Sequence, residues 1–288
     1  MSNTTAKTGV ARLSVISNAF LISTKLAVGI LTGSVSILAE ALHSGIDLVA
    51  AVIAFIAVHV SDRPPDEAHA YGHGKIENIS GTVEALLIIV AAIYIAYEAV
   101  MRFIHGTELV RLDLGIAVML VSVIMNWIVS AKLFKVANET DSIALEADGQ
   151  HLRLDVYTSI GVFAGLLVVY FTNIVLIDRL LAIGVALWIG WIGIQISGKA
   201  LGPLLDIQLP ETEVERIVSL IHSEPQVIGF HKLRTRKSGA QRHVDVHLIV
   251  PKSMSLTEAH DLAERVEDRI REEFRDIFVL THVEPEEE

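Results

Sequence analysis

Two histidine–aspartate pairs, each with four-residue spacing, lie inside apolar stretches of this sequence. His43 and Asp47 lie in SVSILAEALHSGIDLVAAVIAFIAV, and His151 and Asp155 lie in ADGQHLRLDVYTSIGVFAGLLVVY. Side chains at i and i+4 share one helix face, so each pair presents an imidazole and a carboxylate in the same direction. Ionisable groups at membrane depth are costly and usually line an ion or proton path. Together the pairs offer two nitrogen and two oxygen ligands, a tetrahedral set that suits Zn²⁺, so we interpret them as a metal transport site.

The alternative for each pair is a structural hydrogen bond that ties two helices together. That role does not require matched spacing on both helices, so we favour metal ligation. Asp148, one turn before His151, we interpret as an interfacial charge in preference to a metal relay. Lys25 and Asn126 also lie within apolar segments and receive no assigned role.

The composition is typical of a membrane protein with a polar tail. The chain has 288 residues, of which 52% are hydrophobic, a mean hydropathy of +0.51, and long apolar runs confined to its first two thirds. It contains no cysteine, which excludes disulfides and leaves histidine and carboxylate as the zinc ligands. The formal net charge of −11 disfavours nucleic acid and suits cationic partners.

Six segments are long and apolar enough to cross a bilayer, and the first is interpreted as a retained helix rather than a signal peptide. We expect them near residues 10–32, 36–60, 80–103, 112–136, 145–172 and 177–197. We therefore predict a six-helix transmembrane domain at 1–207 and a cytoplasmic domain at 208–288. An even number of spans leaves both termini on one side of the membrane.

Lysine and arginine in the short connections predict that both termini face the cytoplasm. The terminal side holds seven such residues: Lys7, Arg12, Arg63, Lys75, Lys132, Lys135 and Lys199. The opposite side holds three: Arg102, Arg111 and Arg179.

The polar tail reads as a small α+β domain. ETEVERIVSLIHS and LTEAHDLAERVEDRIREEF have amphipathic helical patterns, and QVIGFHKLRTRKS, QRHVDVHLIVP and IFVLTHVEP read as strands. The order αββαβ predicts a three-stranded sheet with helices on one face. A domain of about 80 residues folds only marginally on its own, so we expect metal or a partner chain to stabilise it.

Two further groups of residues could hold metal. Asp66, His69 and His73 follow the second span and could converge if that connection is partly helical; the alternative is a solvated loop with ordinary histidines. The tail carries a second group, although soluble domains also carry exposed histidines freely. Its members are His231, His247, His260, His282 and Glu284.

Four segments together resemble the cation diffusion facilitator family, and within it the bacterial zinc and iron efflux branch, over essentially the whole chain. They are GSVSILAEALHSGID, RPPDEAHAYGHGKIE, HLRLDVYTS and the αββαβ tail that ends in THVEP. The resemblance implies a metallochaperone-like tail and a homodimer in the inner membrane that exchanges cytosolic divalent metal for protons. It implies metal sites at the dimer interface of the tail, and an interlocking charge pair formed by Lys75 and Asp206.

Three features of this sequence depart from patterns found in the family. His43 stands where several bacterial relatives carry aspartate, and the resulting His–Asp–His–Asp set resembles that of zinc-selective members. Val283 and Glu284 stand where relatives can have glutamine and aspartate, which affects occupancy of the tail sites. A long histidine-rich loop between spans four and five is missing, as in prokaryotic members. Zn²⁺ is therefore the expected substrate and regulatory ligand, with Fe²⁺, Cd²⁺, Co²⁺ and Mn²⁺ left as alternatives.

The expected mechanism couples metal to protons, because metal binds deprotonated imidazole and a free histidine titrates near ~6.5. Rival functions are a non-transporting sensor or scaffold, a passive channel and a membrane zinc hydrolase. The sensor predicts a broken quartet, and a channel predicts rings of weak sites. The hydrolase requires an open metal position and a general base, and no HExxH motif occurs, so we predict that the chain is not an enzyme.

Overall fold

Six long helices form the first of two compact units in the computed structural model. The structure describes residues 3–33, 35–105, 113–172 and 175–287, so the predicted orientation residue Arg111 lies outside the described residues. The units are Met1–Leu201 and Gly202–Glu288. The helices of the first unit are α1 (Asn3–Thr32), α2 (Val35–Ser61), α3 (Lys75–His105), α4 (Asp113–Thr140), α5 (Ile143–Thr172) and α6 (Val175–Leu201).

Among the described residues, five of these helices contain a window that is long and apolar enough to span a membrane, within α1, α2, α3, α4 and α6. Helix α5 has comparable length, at 30 residues, but Glu146, Asp148, Arg153 and Asp155 interrupt its first half. The outward faces carry large exposed apolar side chains, among them Ile30, Leu31 and Leu187. Such exposure is unfavourable in water and natural in lipid, so the prediction of an α-helical multi-pass membrane protein is confirmed.

Small residues let the helices of the bundle approach closely. A side chain at Gly193 of α6 would collide with Ile89 of α3, where an added Cβ would lie 2.7 Å from Ile89 Cγ1. Apolar side chains fill the space between α1, α2, α4 and α5, with Leu133, Leu145 and Leu152 almost fully buried. Packing of small residues and matched side chains is the main source of association between helices in lipid.

The turn between α4 and α5 fixes the start of the helix that carries His151. Asp141 adopts a left-handed backbone with a φ of 53°, and the Ser142 amide donates to the Ala137 carbonyl at 3.1 Å. A left-handed residue ends a helix and caps its last carbonyls. Only two residues therefore separate the end of α4 from the start of α5, and the two helices pack side by side.

The second unit confirms the predicted αββαβ order. A short 3₁₀ helix (Gly202–Leu205) precedes α7 (Glu211–His222), β1 (Gly229–Ser238), β2 (Gln241–Val250), α8 (Leu256–Glu273) and β3 (Ile277–Pro285). The sheet order is β1-β2-β3, with β1 and β2 antiparallel and β2 and β3 parallel. Ser255 and Glu258 cap α8 reciprocally through a capping box.

Alternation along β2 separates the two faces of the sheet. Val244, Val246 and Leu248 are buried in a core that also holds residues of α7 and α8. Asp245 and His247 lie on the opposite face, because successive strand side chains point to opposite sides. The helices therefore cover one face, and the other face is available for chemistry.

Candidate metal transport site

The membrane site is built from facing sides of α2 and α5. Asp47 on α2 and His151 and Asp155 on α5 each offer one ligand atom, and these three atoms lie within 4.8 Å of one another. The Nε2 atom of His151 lies 3.1 Å from the Oδ1 atom of Asp47. Both side chains are only 6% exposed. Ligands of one tetrahedral Zn²⁺ stand about 3.3 Å apart for bonds of about 2.0 Å, so this spacing suits a shared ion.

His43 stands apart from the other three predicted ligands. Its Nε2 atom lies 4.0 Å from the Asp47 Oδ1 atom, and its side chain is 47% exposed, against 6% for Asp47. It shares the face of α2 with Asp47, as the four-residue spacing requires, but it lies at the open edge of that face. The structure thus brings three of the four predicted ligands together. The fourth, His43, lies one helical turn away.

The loop residues converge without forming a helix. Asp66 Oδ1 accepts hydrogen bonds from the backbone amides of His69 at 2.7 Å and Ala68 at 3.0 Å. Backbone donation by His69 is the main reason that the pKa of the Asp66 carboxyl lies below its usual range. The same carboxylate lies 3.0 Å from His69 Nδ1 and 3.3 Å from His73 Nε2. Gly72 permits this turn with a φ of 78°.

A row of histidines crosses the tail sheet on the face away from the helices. His231, His247 and His282 occupy paired positions on β1, β2 and β3, so their side chains share one face. Glu284 lies 2.8 Å from both His231 Nε2 and His247 Nδ1. These hydrogen bonds, with that from His247 the strongest, hold the pKa of the Glu284 carboxyl below its usual range. His231, His247 and Glu284 could hold one metal ion together.

The other two predicted tail ligands are placed differently. His282 Nε2 lies 3.6 Å from Glu284 Oε1, next to the group of three. His260 lies on α8, where it pairs with Glu264 at 3.5 Å. Because α8 packs on the opposite face of the sheet, a single chain does not bring His260 to the histidine row.

The predicted charge pair falls in different units, with Lys75 at the start of α3 and Asp206 just after the 3₁₀ helix. Asp206 Oδ1 lies 3.5 Å from Arg236 Nη1 within its own unit. An interlock between Lys75 and Asp206 stays a prediction.

Comparison with known proteins decides the family. Residues 11–205 match the cation efflux transmembrane domain, and residues 209–286 match the cytoplasmic domain of cation efflux proteins. The chain belongs to the cation diffusion facilitator family. This cation efflux family is the one that the four sequence segments predicted.

Individual relatives cover most of the chain. An uncharacterized transporter of Synechocystis sp. is 36% identical over 265 residues, which is 92% of this chain and 86% of the relative. The cation-efflux pump FieF of Yersinia pestis is 33% identical over 254 residues, which is 88% of this chain and 84% of FieF. The solved zinc form of CzrB is 32% identical over 27% of this chain and 91% of that chain, with a TM-score of 0.27.

Lys25 on α1, to which sequence reasoning gave no role, contacts the part of α2 that carries His43. Its Nζ atom donates to Ser44 Oγ at 2.8 Å and lies 3.2 Å from Glu40 Oε2. Ser44 and Glu40 flank His43 on α2, so Lys25 fixes α1 against the part of α2 that carries two predicted ligands. Its charge also acts on Asp47 and Asp155. A lone lysine in an apolar span was the available signal, because such residues usually have a partner.

Two buried carboxylates beside the transport site were also missed. Asp148 is 1% exposed, so its interpretation as an interfacial charge is wrong. Glu84 on α3 is fully buried as well. The sequence places Asp148 one turn from His151, but only the packing of α3 against α5 brings Glu84 to the same region.

A buried ionic network joins the ends of four helices where α1, α3 and α5 begin. Lys7 Nζ lies 2.9 Å from Glu77 Oε1 and 2.9 Å from Asp62 Oδ1. The hydroxyl of Ser61 donates to Glu77 at 2.9 Å, and that of Ser142 donates to the same carboxylate. This network ties together α1, the end of α2, the start of α3 and the start of α5.

Proposed function

We propose that this chain exports Zn²⁺ from the cytoplasm across the inner membrane in exchange for protons, acting as a homodimer. The observation that carries the proposal is the convergence of Asp47, His151 and Asp155 inside the six-helix unit, with His43 one turn away. The family supplies the coarser activity, which is cation efflux. The donor set supplies the preference for zinc, because it combines imidazole nitrogen with carboxylate oxygen in a small group.

The site favours Zn²⁺ over Mg²⁺ for a physical reason. Mg²⁺ demands six oxygen ligands in near-octahedral geometry and gives up its water reluctantly. Asp47 and His151 are nearly buried, and the group offers at most four side chains, two of which are imidazoles. Other divalent metals also bind nitrogen and oxygen ligands, so exporters of Fe²⁺, Cd²⁺, Co²⁺ or Mn²⁺ are the second candidates.

The hydrogen bond between His151 and Asp47 supports proton exchange. At 3.1 Å the two atoms share a proton, and a metal ion that binds both atoms must displace it. Metal entry would therefore release a proton, and proton return would release the metal. The two pairs sit on α2 and α5, so a relative tilt of these helices would open the site alternately to each side.

We propose that the tail responds to cytosolic zinc at the site formed by His231, His247 and Glu284. All three side chains are partly exposed and so remain accessible to metal from solution. A zinc ion there would reduce the repulsion between two acidic tails and clamp two copies together. Exposed Phe278 and Leu280 on the same sheet face support association of two tails.

The loop group of Asp66, His69 and His73 is proposed as a further metal site close to the end of α2.

Both termini are proposed to face the cytoplasm, following the excess of lysine and arginine on their side. A sensor or scaffold without transport is the remaining candidate, and it predicts zinc binding without zinc flux.

Zinc uptake by inverted proteoliposomes tests the proposal. Wild-type protein and Asp47→Ala are compared with and without an imposed pH gradient, and Glu146→Gln serves as the control, because Glu146 lies on the partly exposed side of α5. Gradient-dependent uptake that only Asp47→Ala abolishes is expected. Saturable uptake that ignores the gradient would contradict proton exchange, and zinc binding without uptake would favour the sensor.

A further inference from the structure

Glu84 is a fully buried carboxylate in the described part of the bundle. It lies on α3, it is 0% exposed, and neither of its carboxylate oxygens has a hydrogen-bond partner among the described residues. More than nine in ten buried polar groups in proteins do have a partner, so two orphaned oxygens on one carboxylate indicate a missing ligand. A buried charge without a partner is strongly destabilising.

Asp148 on α5 shares this position. It is 1% exposed, and its Oδ2 atom is likewise without a partner. The hydroxyl of Ser14 on α1, which is fully buried, faces Asp148 but falls short of good hydrogen-bond geometry. Three helices thus contribute one oxygen-bearing side chain each to the same buried region.

The charges around Glu84 define where this region lies. Glu84 lies within electrostatic reach of Asp148 and of the predicted transport ligands His151, Asp47 and Asp155. Asp148 precedes His151 by three residues, a rise of about 4.5 Å along α5. The Glu84–Asp148 pair therefore lies next to the transport ligands, displaced toward the end of the bundle where α3 and α5 begin.

Two carboxylates in a low-dielectric interior cannot both stay charged without a cation between them. Neither Glu84 nor Asp148 forms an ion pair with any lysine or arginine in the described ranges. The donors present are all oxygens, and oxygen donors suit divalent metal ions. A divalent ion would neutralise both carboxylates and fill the orphaned positions on each.

We propose that Glu84, Asp148 and Ser14 form a second divalent cation site, a loading position from which metal passes to Asp47, His151 and Asp155. It rests on the proposed transport function and specifies the route by which metal reaches the transport site. The loading site lies one turn along α5 from His151, so an ion moves between the two without crossing lipid.

Equilibrium dialysis of the full chain in lipid nanodiscs against Zn²⁺ tests the site, with bound zinc counted per chain. Four proteins form a cycle: wild type, Glu84→Gln, Asp47→Ala and the double variant. Glu84→Gln is expected to bind one zinc ion per chain fewer than wild type. The double variant is expected to bind one fewer than Asp47→Ala. The loop and tail ions cancel in each difference. Asp148→Asn is expected to bind one zinc ion per chain fewer than wild type, as Glu84→Gln does.

Zinc uptake by proteoliposomes gives the second readout. Glu84→Gln is expected to lower uptake at sub-saturating zinc by about tenfold, as removal of a supporting ligand typically does. Glu146→Gln, the same chemical change on the exposed side of α5, is expected to leave both binding and uptake unchanged. Unchanged thermal unfolding and elution confirm that each variant is folded.

The outcomes separate this site from the function on which it rests. Zinc binding that is identical in Glu84→Gln and wild type would overturn the loading site and assign the carboxylate pair a shared proton. Loss of the same single ion in Glu84→Gln, Asp47→Ala and the double variant would overturn it too, because only one site would then exist. Absence of zinc flux in wild type would instead overturn transport.

Discussion

The Nε2 atom of His151 lies 3.1 Å from the Oδ1 atom of Asp47, and this contact joins α5 to α2 across 104 positions of the chain. Both side chains are nearly buried, so a partner for each is required. Without metal, the hydrogen bond satisfies both groups and holds two helices together. In the proposed transport cycle the same two atoms would become metal ligands, and the proton between them would have to leave.

We expect His43 to affect the choice of metal more than the existence of the site. Because its ring lies outside the group of three ligands, we expect His43→Ala to keep metal binding and to weaken zinc affinity by about 10- to 100-fold. His43→Asp is expected to shift preference toward Mn²⁺ and Fe²⁺, since it makes the donor set richer in oxygen. Competition between zinc and manganese in the uptake assay measures the shift. His59→Ala, on the same helix outside the site, is the control. Equal zinc affinity in wild type, His43→Ala and His43→Asp would contradict this role of His43.

Breaking the buried Lys7–Glu77 pair is expected to destabilise the protein strongly. Removal of Lys7 leaves Glu77 buried without its cation, so Lys7→Met should lower the free energy of unfolding by about 3–5 kcal/mol. Lys199→Met is the matched control, because the Lys199–Glu146 pair is exposed and such pairs contribute about 0–1 kcal/mol. Thermal and denaturant unfolding of the full chain in detergent measures both. Similar losses in the two variants would contradict the burial of the network.

Stability of the tail is expected to fall in acid through Glu213. Two hydrogen bonds from Arg242, at 2.8 and 2.9 Å, hold the pKa of the Glu213 carboxyl below its usual range. A carboxylate with a lowered pKa stabilises the fold at pH values above its unfolded pKa of about 4.3, and the contribution is lost as pH falls through the lower folded value. The pair is partly exposed, so screening limits its contribution to about 1 kcal/mol.

Unfolding of wild type and Glu213→Gln as a function of pH measures this contribution. We expect the two curves to differ at pH 7 and to converge below about pH 4. Glu215→Gln, two residues along α7, provides the control. A gap that persists unchanged at pH 3 would contradict the ion pair as its cause.

Zinc binding to the tail is expected to depend on Glu284 and not on His260 within one chain. Glu284 contacts both His231 and His247, whereas His260 contacts Glu264 on the other face of the domain. Glu284→Ala should therefore weaken binding by about 10- to 100-fold. His260→Ala should leave the affinity unchanged while the protein is monomeric. Isothermal titration of the full chain with zinc, in an Asp47→Ala background, measures both, and a large effect of His260→Ala would show that a second copy supplies it.

Local patterns account for most of what the sequence predicted. Length and apolarity define the six helices, and alternation and amphipathic spacing define the tail, because both depend on neighbours in the chain. The i, i+4 spacing also places His151 and Asp155 on one face. The rotation of one helix against another does not follow from local pattern. For that reason the exposure of His43, the burial of Asp148 and the pairing of Lys7 with Glu77 were not predicted.

If metal and proton compete for Asp47 and His151, zinc and proton fluxes are coupled, and simultaneous measurement of the two fluxes shows whether they are. Wild type or His151→Ala is reconstituted into proteoliposomes that contain a zinc indicator and a pH indicator. Zinc is then added outside at a fixed pH. Competition predicts that zinc entry drives proton exit in wild type and that both signals vanish in His151→Ala. Zinc entry with no proton movement in wild type would contradict it.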